Sequence, residues 1–244
     1  FSIGIIGAII MVLGYLVVEP VFSAILAVLS AGVDWLVQAN LLPFTSIFVQ
    51  PAQVLFLNNA INHGIMVPIG IEEAARTGKS LLFLVEVNGG TWLGLLLAFS
   101  VFGKGLAKKS APGASVIMCF GGIGEVAFPY ALTKPWTILG PMVGNIVSLF
   151  ILQIFGGGTV AAVSPGSFLA LLAMPPKGCY VVNTVAYVAA TAVSFAIVAF
   201  FLIRDKSVEA GELGEETVAS VAGPVKAPAM KTAKSAANAI KKIA

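Results

Sequence analysis

The chain has 244 residues, 58% of them hydrophobic and only 10% charged, with a mean hydropathy of +0.99. A water-soluble domain carries about a quarter charged residues, so these proportions exclude a soluble globular fold and point to a polytopic membrane protein. The net charge of +3 is no nucleic-acid signal, because twelve of the 25 charged residues lie from Arg204 onward, where a basic tail beside a membrane accounts for them.

A spanning helix needs about 20 mostly apolar residues. Residues 1–18 form the first such run; it opens without a methionine or a basic leader, which reads as a truncation, so that any domain count is a lower bound. Residues 21–37 carry only Asp34 and either span or lie along the surface, and residues 44–57 are short and hold Gln50, Pro51 and Gln53. Residues 81–102 are long enough but are interrupted by Glu86 and by Asn88-Gly89-Gly90. The segment 103–113 follows as a loop with Lys104, Lys108 and Lys109 and no acid, a cytoplasmic signature. Residues 136–155 and 181–203 meet the spanning test cleanly.

Between these spans lie apolar stretches too short to cross. Residues 114–120 and 126–132 flank Gly121-Gly122-Ile123-Gly124-Glu125. Gly156-Gly157-Gly158 and Ser164-Pro165-Gly166-Ser167 precede the run 168–174, which Pro175-Pro176 ends. Broken backbone at membrane depth survives only inside protein or along a polar cavity, and paired broken segments mark a transporter's binding site. If the lysine loop and the basic tail share one side, the chain crosses an even number of times between them. Two spans with re-entrant hairpins at 114–132 and 159–176 satisfy that count. Residues 204–244 read as a cytoplasmic linker ending in a weak basic helix over 229–244.

Polar groups at membrane depth are functional candidates because their burial is costly. The densest cluster is Asn58-Asn59-Ala60-Ile61-Asn62-His63-Gly64, with three carboxamides and the sole histidine. Amides donate and accept, which suits the hydroxyls of a sugar or polyol, and an imidazole can bond a hydroxyl or take its proton. The same groups could instead satisfy backbone where a helix breaks. Glu125, inside the glycine-rich break, is the second candidate: a carboxylate there binds hydroxyls, acts as a base, or closes the turn. Glu86 with Asn88 is a weaker third. Ala74-Ala75-Arg76-Thr77-Gly78-Lys79-Ser80 ends like a phosphate-binding loop, but Glu73 stands where the first glycine belongs and no strand precedes it. One histidine and two isolated cysteines, Cys119 and Cys179, offer no metal site, no disulfide framework and no hydrolase triad. The cysteines read as small buried hydrophobes. No cofactor is expected, and any reactive group has to come from a partner.

Four runs carry a family resemblance: residues 46–64; Gly121-Gly122-Ile123-Gly124-Glu125-Val126-Ala127-Phe128-Pro129-Tyr130; Val163-Ser164-Pro165-Gly166-Ser167; and Leu172-Ala173-Met174-Pro175-Pro176-Lys177-Gly178. In this order, over residues 1 to about 203, they resemble the mannitol-specific enzyme IIC of the bacterial phosphotransferase system. The resemblance implies the all-α fold of the glucose superfamily of enzyme IIC, transmembrane helices plus re-entrant hairpins with the amino-terminal helices missing. Residues 1–203 would be a partial translocation domain in the bacterial inner membrane, homodimeric and embedded in the lipid bilayer. It would bind and carry mannitol or a related polyol, which a phosphocysteine on enzyme IIB phosphorylates at the cytoplasmic side. The implied substrate-binding residues are Asn62, His63 and Glu125; the reading of the residues adds Asn58 and Asn59, and makes Glu125 the catalytic candidate. Four positions depart from the family pattern: Gly124 and Cys119 stand in place of histidines, and Gln50 and Gln53 in place of a glutamate and a lysine. Two other readings stay open, an ion-coupled secondary transporter using Glu125 and His63 as a proton relay, and a non-transporting remnant.

Overall fold

In the computed structural model, residues 2–55, 61–163 and 166–205 are described. The run 1–18 and the run 21–37 do not separate at Pro20. Helix α1 (Ser2–Gln38) passes through that proline and is 37 residues long, about 55 Å at 1.5 Å per residue. A mid-helix proline removes one hydrogen bond, and the chain resumes its helical course beyond it. Leu29, Val33 and Val37, spaced to lie on one helix face, join the core of the molecule. Gly32 lies against the Phe48 ring.

Helix α2 (Ser46–Val54) follows a short 3₁₀ turn, and a π-helical turn (Asn62–Met66) leads into α3 (Val67–Thr77). Gly78, at φ +82°, ends α3 with the reversal that a side chain resists. The chain then returns through the 3₁₀ turn Leu82–Leu84 to Asn88 and only there begins α4 (Gly89–Phe102). The expected interruption at Glu86–Asn88 is therefore real. The expected lysine loop is a correction: from Gly105 it is helical, as α5 (Gly105–Val116). Alanine, leucine and lysine are good helix formers, and Ser110 bonds back to the Leu106 carbonyl within it.

The remaining elements are a π-helical turn (Ile117–Gly121), a 3₁₀ turn (Gly124–Ala127), α6 (Phe128–Thr133), a 3₁₀ turn (Pro135–Ile138), α7 (Leu139–Phe155), α8 (Phe168–Ala173) and α9 (Tyr180–Arg204). Among the described residues there is no strand, and three helical stretches are long and apolar enough to cross a membrane: Leu82–Phe102, Pro135–Phe155 and Tyr180–Arg204.

Those three stretches form the frame. Between helices in lipid there is no hydrophobic drive to associate, so close approach depends on small residues. On α4, a Cβ at Gly90 would sit 2.4 Å from the Tyr187 carbonyl oxygen, and one at Gly94 2.4 Å from that of Thr191. On α7, Gly140 and Gly144 approach the carbonyls of Ser194 and Ala190. Contacts that rise together make α4 parallel to α9; contacts that run oppositely make α7 antiparallel to it. A buried polar net ties α7 to the break before α4. Asn145 donates to Ser46 Oγ (3.0 Å) and the Val85 carbonyl (2.8 Å), while Asn88 donates to Asn145 Oδ1 (3.2 Å) and Ser148 Oγ (2.6 Å).

The two hairpins enter from opposite ends. Lys104 bonds the Asp205 carbonyl and Lys134 pairs with the Asp205 carboxylate, so the segment between these lysines leaves by the end through which it entered. Ser110 and the Tyr130 hydroxyl, 2.8 Å apart, join its two arms. At the other end, Ser80 and Thr159 exchange backbone hydrogen bonds (2.9 and 3.0 Å). There the amide of Asn183 both accepts from the Gly158 N–H (3.0 Å) and donates to its carbonyl (2.9 Å). Lys79 reaches the Gly156 carbonyl and, at 3.4 Å, Cys179 Sγ. Cys179 is thus a polar partner as well as a buried residue, and Ser80, hydrogen-bonded to Glu73 at 2.5 Å, closes a turn. The second hairpin starts at this end and returns to it, with Val160 N–H bonded to the Met174 carbonyl (3.0 Å). The supposed helix at 229–244, and all but the first two residues of the 204–244 segment, lie outside the described residues.

Candidate functional site

The two hairpins meet where Gly122 approaches Gly166 and Ser167. Gly122 takes φ +70°, and a Cβ there would fall 2.4 Å from the Ser167 amide nitrogen. Only glycine combines that dihedral with that approach. Gly89, at the start of α4, meets Gly166 in the same way, its absent Cβ 2.8 Å from the Gly166 carbonyl oxygen. Three backbone breaks therefore converge, and the π-helical turn Asn62–Met66 supplies a fourth irregular wall.

Between them is a cavity of about 330 Å³, at the small end of the range for small-molecule sites. Asn62 and His63 line it from the π-helical turn, Glu86 and Val87 from the break before α4, and Glu125 from the first hairpin. Ala162, Val163 and Gly166 of the second hairpin close it, while Phe83, Trp92, Met118 and Phe128 provide its apolar surface. The structure thus brings Asn62, His63 and Glu125 to one cavity across more than sixty positions of sequence. Asn58 and Asn59 lie outside the described residues. Asn88 is not in the wall: its amide turns away to Asn145 and Ser148, so the Glu86–Asn88 pair divides into a cavity residue and a structural one.

The side chains of Asn62, His63 and Glu125 make no hydrogen bond or ion pair to other protein groups among the described residues. Their donors and acceptors are available to a ligand. A carboxylate with two free oxygens, an imidazole and a carboxamide can together hold several hydroxyls of one polyhydroxylated molecule. The aromatic wall suits the C–H faces between those hydroxyls.

Gln53 and Trp92 were not legible as site residues. Gln53, buried on α2, donates to the Glu86 carbonyl (3.0 Å) and accepts from the Trp92 indole N–H (2.9 Å). Trp92 in turn packs edge-on against Phe128, with ring centroids 5.1 Å apart. One amide therefore holds the backbone at Glu86 and the ring that borders the cavity, and the ring supports the segment following Glu125. The available signal was a glutamine in an otherwise apolar stretch; nothing marked its partner 39 residues on. Among the described residues no three His, Cys, Asp or Glu side chains gather closely enough to hold a metal ion.

Fold and cavity together define the class: an all-α polytopic membrane protein with a polar site built where its helices break. Sequence comparison then gives the family. Over 209 residues, 86% of this chain, it is 52% identical to the PTS system mannitol-specific EIICB component of Bacillus subtilis (strain 168), covering 44% of that protein. It is 48% identical over 217 residues to the PTS system mannitol-specific EIICBA component of Escherichia coli (strain K12), covering 89% of this chain and 34% of that one. The EIICB component of Halalkalibacterium halodurans is 55% identical over 180 residues, covering 74% of this chain and 38% of that protein. The chain belongs to the mannitol-type enzyme IIC family of the phosphotransferase system. It spans less than half the length of these relatives. No family model matches it, and no solved structure gives a significant match.

Proposed function

We propose that this chain is the membrane portion of a phosphoenolpyruvate-dependent phosphotransferase-system permease. In this reading it binds mannitol or a related polyol in the cavity and carries it across the bacterial inner membrane. The observation that supports this most is the convergence of Asn62, His63 and Glu125, with their polar atoms unused by other described residues, on one cavity between two opposed hairpins. Asn62 and His63 hydrogen-bond substrate hydroxyls, and Asn58 and Asn59 extend the same run of amides. Glu125 binds the hydroxyl that accepts phosphate and takes its proton as the new O–P bond forms. The phosphoryl group comes from a phosphocysteine of enzyme IIB, whose S–P bond breaks in that step. The names of the relatives support a phosphotransferase over an ion-coupled carrier or a remnant.

The excess of lysine at the end that holds Lys104, Lys108, Lys109 and Lys134 supports a cytoplasmic placement for it. Residues 1–203 are then the translocation domain, working as a homodimer, and residues 204–244 a cytoplasmic linker. The test is the product. Membrane vesicles carrying the protein at its full encoded length, supplied with phosphorylated enzyme IIB and labelled mannitol, are expected to yield mannitol phosphate. Accumulation of free mannitol driven by an ion gradient would support the carrier reading instead.

A further inference from the structure

Among the described residues four glycines border the cavity, and three have a local reason to be glycine. Gly89 and Gly166 face atoms 2.8 Å from where a Cβ would stand, and Gly122 combines a close contact with a left-handed backbone. Gly124 has neither reason. Its φ lies outside the left-handed range, and a Cβ at this position would meet no atom of the described residues within 4 Å. It sits in the 3₁₀ turn Gly124–Ala127, where glycine carries a backbone-entropy penalty and no compensating contact. Its neighbour in the chain is Glu125, the carboxylate on the same cavity wall. A larger residue would fit the fold, so the missing side chain leaves empty volume next to the group that holds the ligand.

We propose that Gly124 determines substrate size: it keeps open, beside Glu125, the room for a substituent on the polyol end that Glu125 binds. This rests on the polyol reading above and specifies it further. The site then accepts substituted polyols as well as the bare hexitol. One methyl group too many in a fitted pocket is worth roughly ten- to two-hundredfold in discrimination, so adding a methyl at position 124 gives a measurable change.

The experiment is competition against labelled mannitol in membrane vesicles carrying the protein at full encoded length. The competitors are mannitol and its terminal O-methyl ether. The unmodified protein is expected to bind the ether within about threefold of mannitol, because the empty volume takes the added methyl. Gly124→Ala should raise the ratio of ether to mannitol dissociation constants by about tenfold, and Gly124→Leu by more. Residual mannitol binding by each variant reports that the site is folded, so the ratio and not the absolute affinity is the readout. An unmodified protein that already rejects the ether, or a ratio that neither variant moves, overturns the proposal. If the unmodified protein binds neither compound, the polyol reading itself fails, and this inference with it.

Discussion

Replacing Gln53 by leucine removes both bonds that hold the cavity's buried wall. The Trp92 indole N–H, in a side chain 1% exposed, loses its acceptor, and the Glu86 carbonyl loses its donor. Unpaired buried groups cost about 1–3 kcal/mol each in soluble proteins. Side-chain hydrogen bonds within a membrane bundle average only about 0.6 kcal/mol, with a maximum near 1.7. The membrane value governs here, so two bonds predict a loss of about 1–3 kcal/mol. Thermal unfolding in detergent, followed by tryptophan fluorescence or aggregation, measures it. The double variant Gln53→Leu with Trp92→Phe removes donor and acceptor together, leaving no orphaned indole. Its loss should fall short of the sum of the single losses by about 0.5–1.5 kcal/mol. Strict additivity would refute the claim that these side chains act as a pair, and a Gln53→Leu protein as stable as the original would refute the claim that they matter.

Gly94→Ala places a methyl group 2.4 Å from the Thr191 backbone oxygen, which cannot rotate away; separation of α4 from α9 should cost about 1–3 kcal/mol, read as a lowered unfolding temperature. Asn183→Ala withdraws both bonds to Gly158 and should raise proteolysis or cysteine labelling of residues 159–163 more than that of α9. Removing the half-buried Lys134–Asp205 ion pair by Asp205→Asn should change stability by about 1 kcal/mol or less, measured in the same unfolding assay.

Both hairpins were legible because glycine clusters divide apolar runs that are too short to cross, and lipid permits such a break only inside protein. The sharing of one cavity by His63 and Glu125 followed from that same rule, since each sits at a break. What was hidden depended on distant partners or on context. The runs 1–18 and 21–37 read as two segments, yet the helix continues through Pro20 because one missing bond does not terminate a long apolar helix. The lysine segment reads as a loop by charge, whereas its alanine and leucine content makes it helical. Asn88 and Glu86 look alike in sequence; only the position of Asn145 and Ser148 on α7 turns Asn88 away from the cavity. Gln53 and Trp92 meet through packing that no local pattern announces.

The account stands on the cavity being the polyol site, and the affinity of Glu125→Gln for labelled mannitol tests that most directly. A hydrogen bond to a charged group contributes about 1.5–3 kcal/mol. Equilibrium binding to membranes carrying the full-length protein should therefore weaken by roughly ten- to a hundredfold, with the unfolding temperature little changed because Glu125 bonds no protein group among the described residues. Mannitol bound equally well by the variant and the original would place the ligand elsewhere and contradict the account.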